Sequence, residues 1–164
     1  CKEYCLEDFL IKNYYPGCTM VFNKALLQII QKHNNLGLMP YPLHDHWINL
    51  VCTACGGKVI FDDIPHMWYR QHGNNVIGAY RSIYIRIKEN GLFSDECLRS
   101  RTVNDLVNKY EDTLDEKNKI ILYDILKIKK SIRIRFKLAI NPKLKPRKNI
   151  EKIAVCLIIL LGKF

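Results

Sequence analysis

The sequence predicts an α/β protein, or α+β if it is a piece of a larger domain, followed by a helical, basic C-terminal region. Three observations lead there. Short β-branched and aromatic runs alternate with stretches whose apolar residues recur at i, i+3, i+4 and i+7, the spacing of a helix with one buried face. Clusters of Gly, Pro and Asn separate these stretches. The charge is also segregated: residues 1–116 carry 12 Lys/Arg against 14 Asp/Glu, whereas 117–152 carry 13 against 2, that is −2 followed by +11. This shift divides the chain into 1–116 and 117–164. At 164 residues it suits one domain or part of a larger one, with material for a real core.

Taken in order, Leu6, Phe9 and Leu10 have helical spacing, and Tyr14-Tyr15-Pro16 is extended before a turn at Gly17. Residues Cys18 to Phe22 read as a short buried strand. Asn23 then caps a helix through about His33, with Ala25, Leu26, Ile29 and Ile30 inward. Asn34-Asn35-Leu36-Gly37 stops it, and Pro40 and Pro42 keep the chain extended up to His44. From Asp45 the positions Trp47, Leu50, Val51, Ala54 and Cys55 mark a one-faced helix that ends at Gly56-Gly57. Val59-Ile60-Phe61 makes a strand, Asp62-Asp63-Ile64-Pro65 a turn, and Met67 to Arg70 a second strand. Residues 79–90 and 95–112 read as helices. Ile121, Ile125, Ile128, Ile132, Phe136 and Ala139 then form one apolar helical stripe, and Pro142 and Pro146 break the chain before a last apolar helix from about Asn149.

Two polar groups stand out from this pattern. Asp45 opens a helix, where the macrodipole favours a carboxylate by about 0.3–1 kcal/mol. It reads either as a helix cap or as an ionised general base, and the crowding of His44, His46 and Trp47 around it speaks for the second. His72 follows a predicted strand between Gln71 and Gly73-Asn74-Asn75. It reads either as part of an Asn-stabilised turn or as a ligand for a divalent cation or a phosphate, beside Arg70. Gly17 permits a close backbone approach, although a glycine after proline also simply turns the chain. Cys52 and Cys55 have redox or zinc spacing but lie on or beside the apolar stripe with no second pair, so they read as buried small residues.

Seven cysteines without a regular framework, and no signal peptide, suit a reduced cytoplasmic setting. The longest strongly apolar run, Ile153 to Leu161, has nine residues, short of the roughly 20 that span a bilayer.

The ordered motifs carry a resemblance. Tyr15-Pro16-Gly17-Cys18-Thr19-Met20-Val21-Phe22-Asn23-Lys24-Ala25-Leu26-Leu27, then His44-Asp45-His46-Trp47, then Asp62-Asp63-Ile64-Pro65, then Tyr69-Arg70-Gln71-His72-Gly73-Asn74-Asn75-Val76-Ile77-Gly78-Ala79 resemble the second, acceptor-side half of bacterial family-2 glycosyltransferases of the rhamnosyltransferase-like group. The likeness runs through about residues 14–80, and more loosely through the basic tail ending Leu160-Leu161-Gly162-Lys163-Phe164.

This resemblance implies a GT-A fold, a nucleotide-diphosphate sugar donor, Mg²⁺ or Mn²⁺, and a glycan or lipid-linked acceptor in cell-surface polysaccharide synthesis. It puts Gly17 in the loop beside the donor sugar, makes Asp45 the base of an inverting displacement, and makes His72 a metal or diphosphate ligand. Cys18, His44, Trp47, Arg70, Gln71 and Asn74 complete the implied substrate-binding set. Two features depart from the family. Position 46 is His where an aromatic or acidic residue is expected, and the nucleotide-binding half with its Asp-x-Asp motif has no counterpart. A chain opening on Cys1 and lacking that half is expected to be a truncated piece without activity of its own.

The basic segment 117–164 reads either as an amphipathic region on an anionic membrane face or as solvated helices packing an Ile stripe on the core. The competing function is a non-catalytic module binding nucleic acid or membrane. Against nucleic acid, Trp47, Trp68 and Tyr69 lie in the acidic part, away from the basic block, whereas stacking platforms need both together.

Overall fold

The computed structural model describes residues 2–33, 44–68, 98–146 and 149–164. These form a mostly helical body with one two-stranded sheet, a composition compatible with a piece of an α/β protein. Strand β1 (Lys2–Tyr4) pairs antiparallel with β2 (Val59–Phe61), with Tyr4 opposite Val59 and Lys2 opposite Phe61. Around it lie α1 (Leu6–Ile11), α2 (Lys24–His33), α3 (His44–Ala54), α4 (Leu98–Tyr110), α5 (Glu116–Leu126), α6 (Ile132–Ile140) and α7 (Asn149–Leu160).

Helix α1 is six residues long, too short to hold itself in water. At its start the Asp8 carboxylate accepts the Cys5 N–H at 3.0 Å, and its apolar residues Leu6, Phe9, Leu10 and Ile11 are buried. At its end, the carbonyls left open by the helix are taken by side chains from elsewhere. His46 Nε2 lies 2.6 Å from the Phe9 oxygen. Arg99 Nε donates to the Leu10 oxygen at 3.1 Å, and its Nη2 donates to the Ile11 oxygen at 3.2 Å. Thus α3 and α4 are both fastened to the same end of α1.

Helix α2 forms as its spacing predicts, with Asn23 Oδ1 accepting the Leu26 N–H at 3.0 Å and Leu26 and Ile30 buried. Ala25, expected inward, is exposed. Helix α3 is enclosed more completely than a single stripe implies. Trp47, Leu50, Val51 and Ala54 are buried as expected, but so are Asp45, His46, Asn49 and Thr53. Cys55 is half-buried, just beyond the helix. Gly56 follows with φ 79°, a left-handed position suited to glycine, and Gly57 N–H returns to the Cys52 oxygen at 2.8 Å. Asp115 N–H and the Asn118 amide occupy the Ala54 and Thr53 carbonyls at 3.0 and 2.8 Å, so the start of α5 caps the end of α3.

Three expectations about the elements are corrected. Cys18 to Phe22 is not a buried strand: Gly17–Thr19 form a 3-10 turn, and Val21 and Phe22 face solvent. The turn wins because Thr19 Oγ1 and the Thr19 N–H both bond the Pro16 carbonyl. Met67 and Trp68 are outside any strand and exposed, while Tyr69, Arg70 and the expected helix 79–90 lie outside the described residues. The partner of β2 is β1, which the sequence does not announce. Finally, the stripe from Ile121 to Ala139 is two helices. Ser131 accepts the Ile134 N–H and starts α6, so Ile121, Ile125 and Ile128 are buried while Ile132 and Phe136 are exposed.

A single hydrophobic cluster takes in residues on both sides of position 117, from Phe9, Trp47 and Tyr110 to Leu122, Ile125, Leu138 and Phe164. The chain end is part of it. Phe164 is fully buried under the Arg99 guanidinium, 5.1 Å from the ring centre, and its backbone oxygen accepts Ser100 Oγ at 2.8 Å.

Arg99 therefore joins α1, α4 and the C-terminus. Replacing it by Ala is expected to lower stability by about 2–3 kcal/mol, the scale of charge-assisted hydrogen bonds lost to buried carbonyls. Arg99→Lys should recover little, because an ammonium cannot reproduce the forked geometry. Urea denaturation of the three proteins measures this.

Candidate functional site

The Gly17 turn contacts the first turn of α3, which brings together residues singled out from sequence around Asp45. Gly17 has no positive φ, and what it meets is the tip of the exposed His44 side chain and, at ordinary contact distance, Asp45. A Cβ there would lie 2.5 Å from His44 Nε2 and 3.4 Å from Asp45 Cβ. The Gly17 backbone is thus pressed onto the two residues that open α3. His44 and Cys18 are exposed beside this contact, and Asp45 is buried beneath it.

Asp45 lies in the first turn of α3, where free N–H groups and the helix dipole favour a negative charge. Its Oδ1 accepts the His46 N–H at 2.7 Å. One turn further on, Asn49 is also buried, and its Nδ2 has no hydrogen-bond partner among the described residues. Residues four apart on a helix lie on one face, so Asn49 brings an unused donor to the Asp45 side of α3. Thr53, one turn beyond, turns its hydroxyl back to the Asn49 oxygen at 2.8 Å. Asn49 was not singled out from sequence, although the i, i+4 spacing from Asp45 was the available signal.

The neighbours of Asp45 point elsewhere. Trp47 is fully buried and packs at 6.1 Å, tilted, on Tyr110, with Lys109 Nζ 5.8 Å from its ring centre. His46 faces α1. The Phe9 carbonyl can only accept, so Nε2 carries the proton, and burial pushes the imidazole pKa below its ordinary value, with the Arg99 charge acting in the same direction. The structure thus gives His46 a fastening role.

Upstream of Gly17 the structure gathers aromatic rings that the sequence reading did not join. Tyr15 stacks on Phe61 at 5.3 Å and 20°, and Tyr4 contacts Phe9, Tyr14 and Tyr15 within 6.0 Å. Burial pushes the Tyr14 hydroxyl up to about 12. The cluster holds the segment 14–16 against β1 and β2 and so sets the path into the Gly17 turn.

Gly17, Cys18, His44 and Asp45 are therefore brought to one place, with Trp47 behind them in the core. Arg70, Gln71, His72 and Asn74 lie outside the described residues. Among the described residues no group of three His, Cys, Asp or Glu side chains could hold a metal ion. Cys52 and Cys55, half-buried, have thiols pushed up by burial, up to about 11 for Cys55, which disfavours thiolate chemistry.

Among known proteins, the chain is 30% identical over 108 residues to the dTDP-rhamnosyl transferase RfbG of Shigella flexneri. The aligned region covers 64% of this chain and 37% of that protein. No protein family's sequence profile matches the chain, and no solved structure does. The similarity is that of a distant, glycosyltransferase-like relationship.

The His46 environment generates a pH test. Its folded pKa lies below the unfolded value of about 6.5, so below that pH the unfolded chain binds the extra proton and stability falls as pH falls. The wild-type urea midpoint should therefore drop from pH 7 to pH 5. In His46→Gln, which keeps an amide donor for Phe9, that drop should be smaller.

Proposed function

We propose that this chain is the acceptor-side part of a glycosyltransferase that moves a sugar from a nucleotide-diphosphate donor to a hydroxyl of a glycan or lipid-linked acceptor. The observation that carries this reading is the joining of Gly17, His44 and Asp45 in one place, on a chain related to a dTDP-rhamnosyl transferase. A deoxyhexose on a thymidine diphosphate is accordingly the first donor to consider.

In this reading the fold is the second half of a GT-A sandwich and the reaction inverts the anomeric centre. Asp45 takes the proton of the acceptor hydroxyl as its oxygen attacks the anomeric carbon, and the bond to the diphosphate breaks. A carboxylate held at a helix start by its own Oδ1 contact is suited to such a base. Asn49 would orient the acceptor or the carboxylate through its free amide. In this reading the sugar lies beside the Gly17 turn, bordered by the exposed His44 and Cys18. A divalent cation would neutralise the departing diphosphate, with His72, beside Arg70, Gln71 and Asn74, on the donor side. The reaction takes place at the cytoplasmic face of the membrane in this proposal. The chain spans 37% of the relative's length, and donor binding is assigned to parts of the enzyme beyond these 164 residues.

The experiment is a titration of the ¹⁵N-labelled chain, followed by NMR, with rhamnose-containing oligosaccharides and separately with dTDP-rhamnose and Mg²⁺. Oligosaccharide is expected to shift the amides around Gly17, Cys18, His44 and Asp45. Gly17→Val should abolish those shifts, and Asp45→Asn should leave them. The donor should not bind at micromolar concentration. Glycan shifts confined to other surfaces would sink the acceptor site, and micromolar donor binding would overturn the division between the two halves.

A further inference from the structure

Helices α6 and α7 fold back on each other as an antiparallel hairpin closed by the 3-10 turn Pro142–Leu144. Arg135 fixes its register. The guanidinium donates to the Ile128, Lys129 and Leu160 oxygens and lies against Gly162, so the start of α6 sits beside the end of α7. In that register Ile132, Phe136 and Ile140 are level, within about half a turn, with Leu161, Leu157 and Ile153. All six side chains are between 51% and 72% exposed. The inner faces carry their own apolar residues, Leu138 and Ala139 on α6 and Val155, Ile158 and Ile159 on α7, so the exposed six are surplus to the core. Each helix thus presents an unburied apolar row with a spacing of four.

Charge says what covers these rows. Lys127, Lys129, Lys130, Arg133, Lys143 and Lys145 are exposed on or beside the hairpin, and residues 117–152 hold only Asp124 and Glu151 as acids. Asp124 is already engaged by Lys137 at 2.6 Å. A surface that accepts aliphatic side chains and also attracts lysine is the interface of an anionic lipid bilayer. Nucleic acid suits the site less well, since stacking would fall to Phe136 alone among the six. No helix of the described residues is long and apolar enough to cross a membrane, and helices of nine and twelve residues with one apolar row lie along an interface.

We propose that the α6–α7 hairpin is a membrane-docking surface, seating Ile132, Phe136, Ile140, Ile153, Leu157 and Leu161 in the headgroup region of an anionic bilayer with its lysines on the lipid phosphates. This inference stands on the C-terminal segment, residues 117–162, and is independent of the glycosyltransferase reading.

The test is co-sedimentation of the full 164-residue chain with vesicles of phosphatidylcholine, with and without about one quarter phosphatidylglycerol. Binding to the acidic vesicles is expected to be at least about tenfold tighter and to weaken with added salt. Phe136→Ser with Leu157→Ser, and separately Lys129→Glu with Lys130→Glu, should each reduce it about tenfold or more. The second pair is fully on the surface, and its circular-dichroism melt should match the wild type. Equal binding to neutral and acidic vesicles, no binding, or lysine-pair variants that bind like the wild type would overturn the proposal. So would a wild-type dimer that Phe136→Ser dissociates without any vesicle binding, which would assign the face to a second copy. Retention on an oligonucleotide without vesicle binding would likewise overturn it.

Discussion

The fastening of the end of α1 is the constraint on which the rest of the arrangement depends. A six-residue helix has almost no intrinsic stability, and its last carbonyls have no partner within the helix. Here three successive ones, from Phe9, Leu10 and Ile11, are taken by His46 and Arg99. The two donor residues come from different helices, so satisfying these acceptors also fixes where α3 and α4 lie. Leaving them unsatisfied would cost about 1–3 kcal/mol each, more than surface ion pairs such as Lys32 with Asp112 contribute. His46 is next to Asp45 in the chain. The bond that holds α3 on α1 therefore also sets the height at which the Asp45 carboxylate meets the Gly17 turn.

That coupling explains the polar interior of α3. A helix clamped at its start by His46 and at its end by Asp115 and Asn118 is surrounded on most sides, and its polar positions are buried with its apolar ones. Thr53 resolves this locally by bonding within the helix. Asp45 does so in part through the next N–H. Asn49 is the exception: its amide nitrogen is buried and unused among the described residues. A buried donor left open is unfavourable.

The sequence showed local structure well where one periodicity ruled. The α2 helix with its Asn23 cap, the core side of α3 and its Gly56 stop, the β2 strand and the final helix all follow from spacing and caps. It misled where a short polar signal broke an apolar pattern. The Ser131 hydroxyl divides the Ile121–Ala139 stripe into two helices, and the bonds of Thr19 to Pro16 turn the run Cys18–Phe22 out of any strand. The strand Lys2–Tyr4 was illegible because its pairing with β2 is set by a partner some fifty-seven residues away and has no local signature. Of the candidate site, the nearness of Gly17 to His44 and Asp45 was implied only by resemblance; no spacing argument joins residues so far apart. His46 shows the limit from the other side. In sequence it is one of three residues crowding an acid, and only the fold shows that it faces away to hold α1.

The basic segment is a folded part of this body. Phe164 is buried under Arg99, Leu144 is buried in the turn against α1, and Asp115 and Asn118 grip the end of α3. The hairpin is consequently connected through α1 and Arg99 to the helix that carries Asp45. Because interiors this well packed transmit displacement instead of absorbing it, a surface that holds the hairpin also holds the Gly17 turn and the start of α3 in one orientation. If the acceptor is lipid-linked, as proposed, that orientation matters more than affinity. In that proposal the hydroxyl would arrive at a fixed height above the bilayer, and a carboxylate would serve as its base only when presented at that height within hydrogen-bond reach. The same bonds that close the end of a six-residue helix would then also govern how the site faces its acceptor.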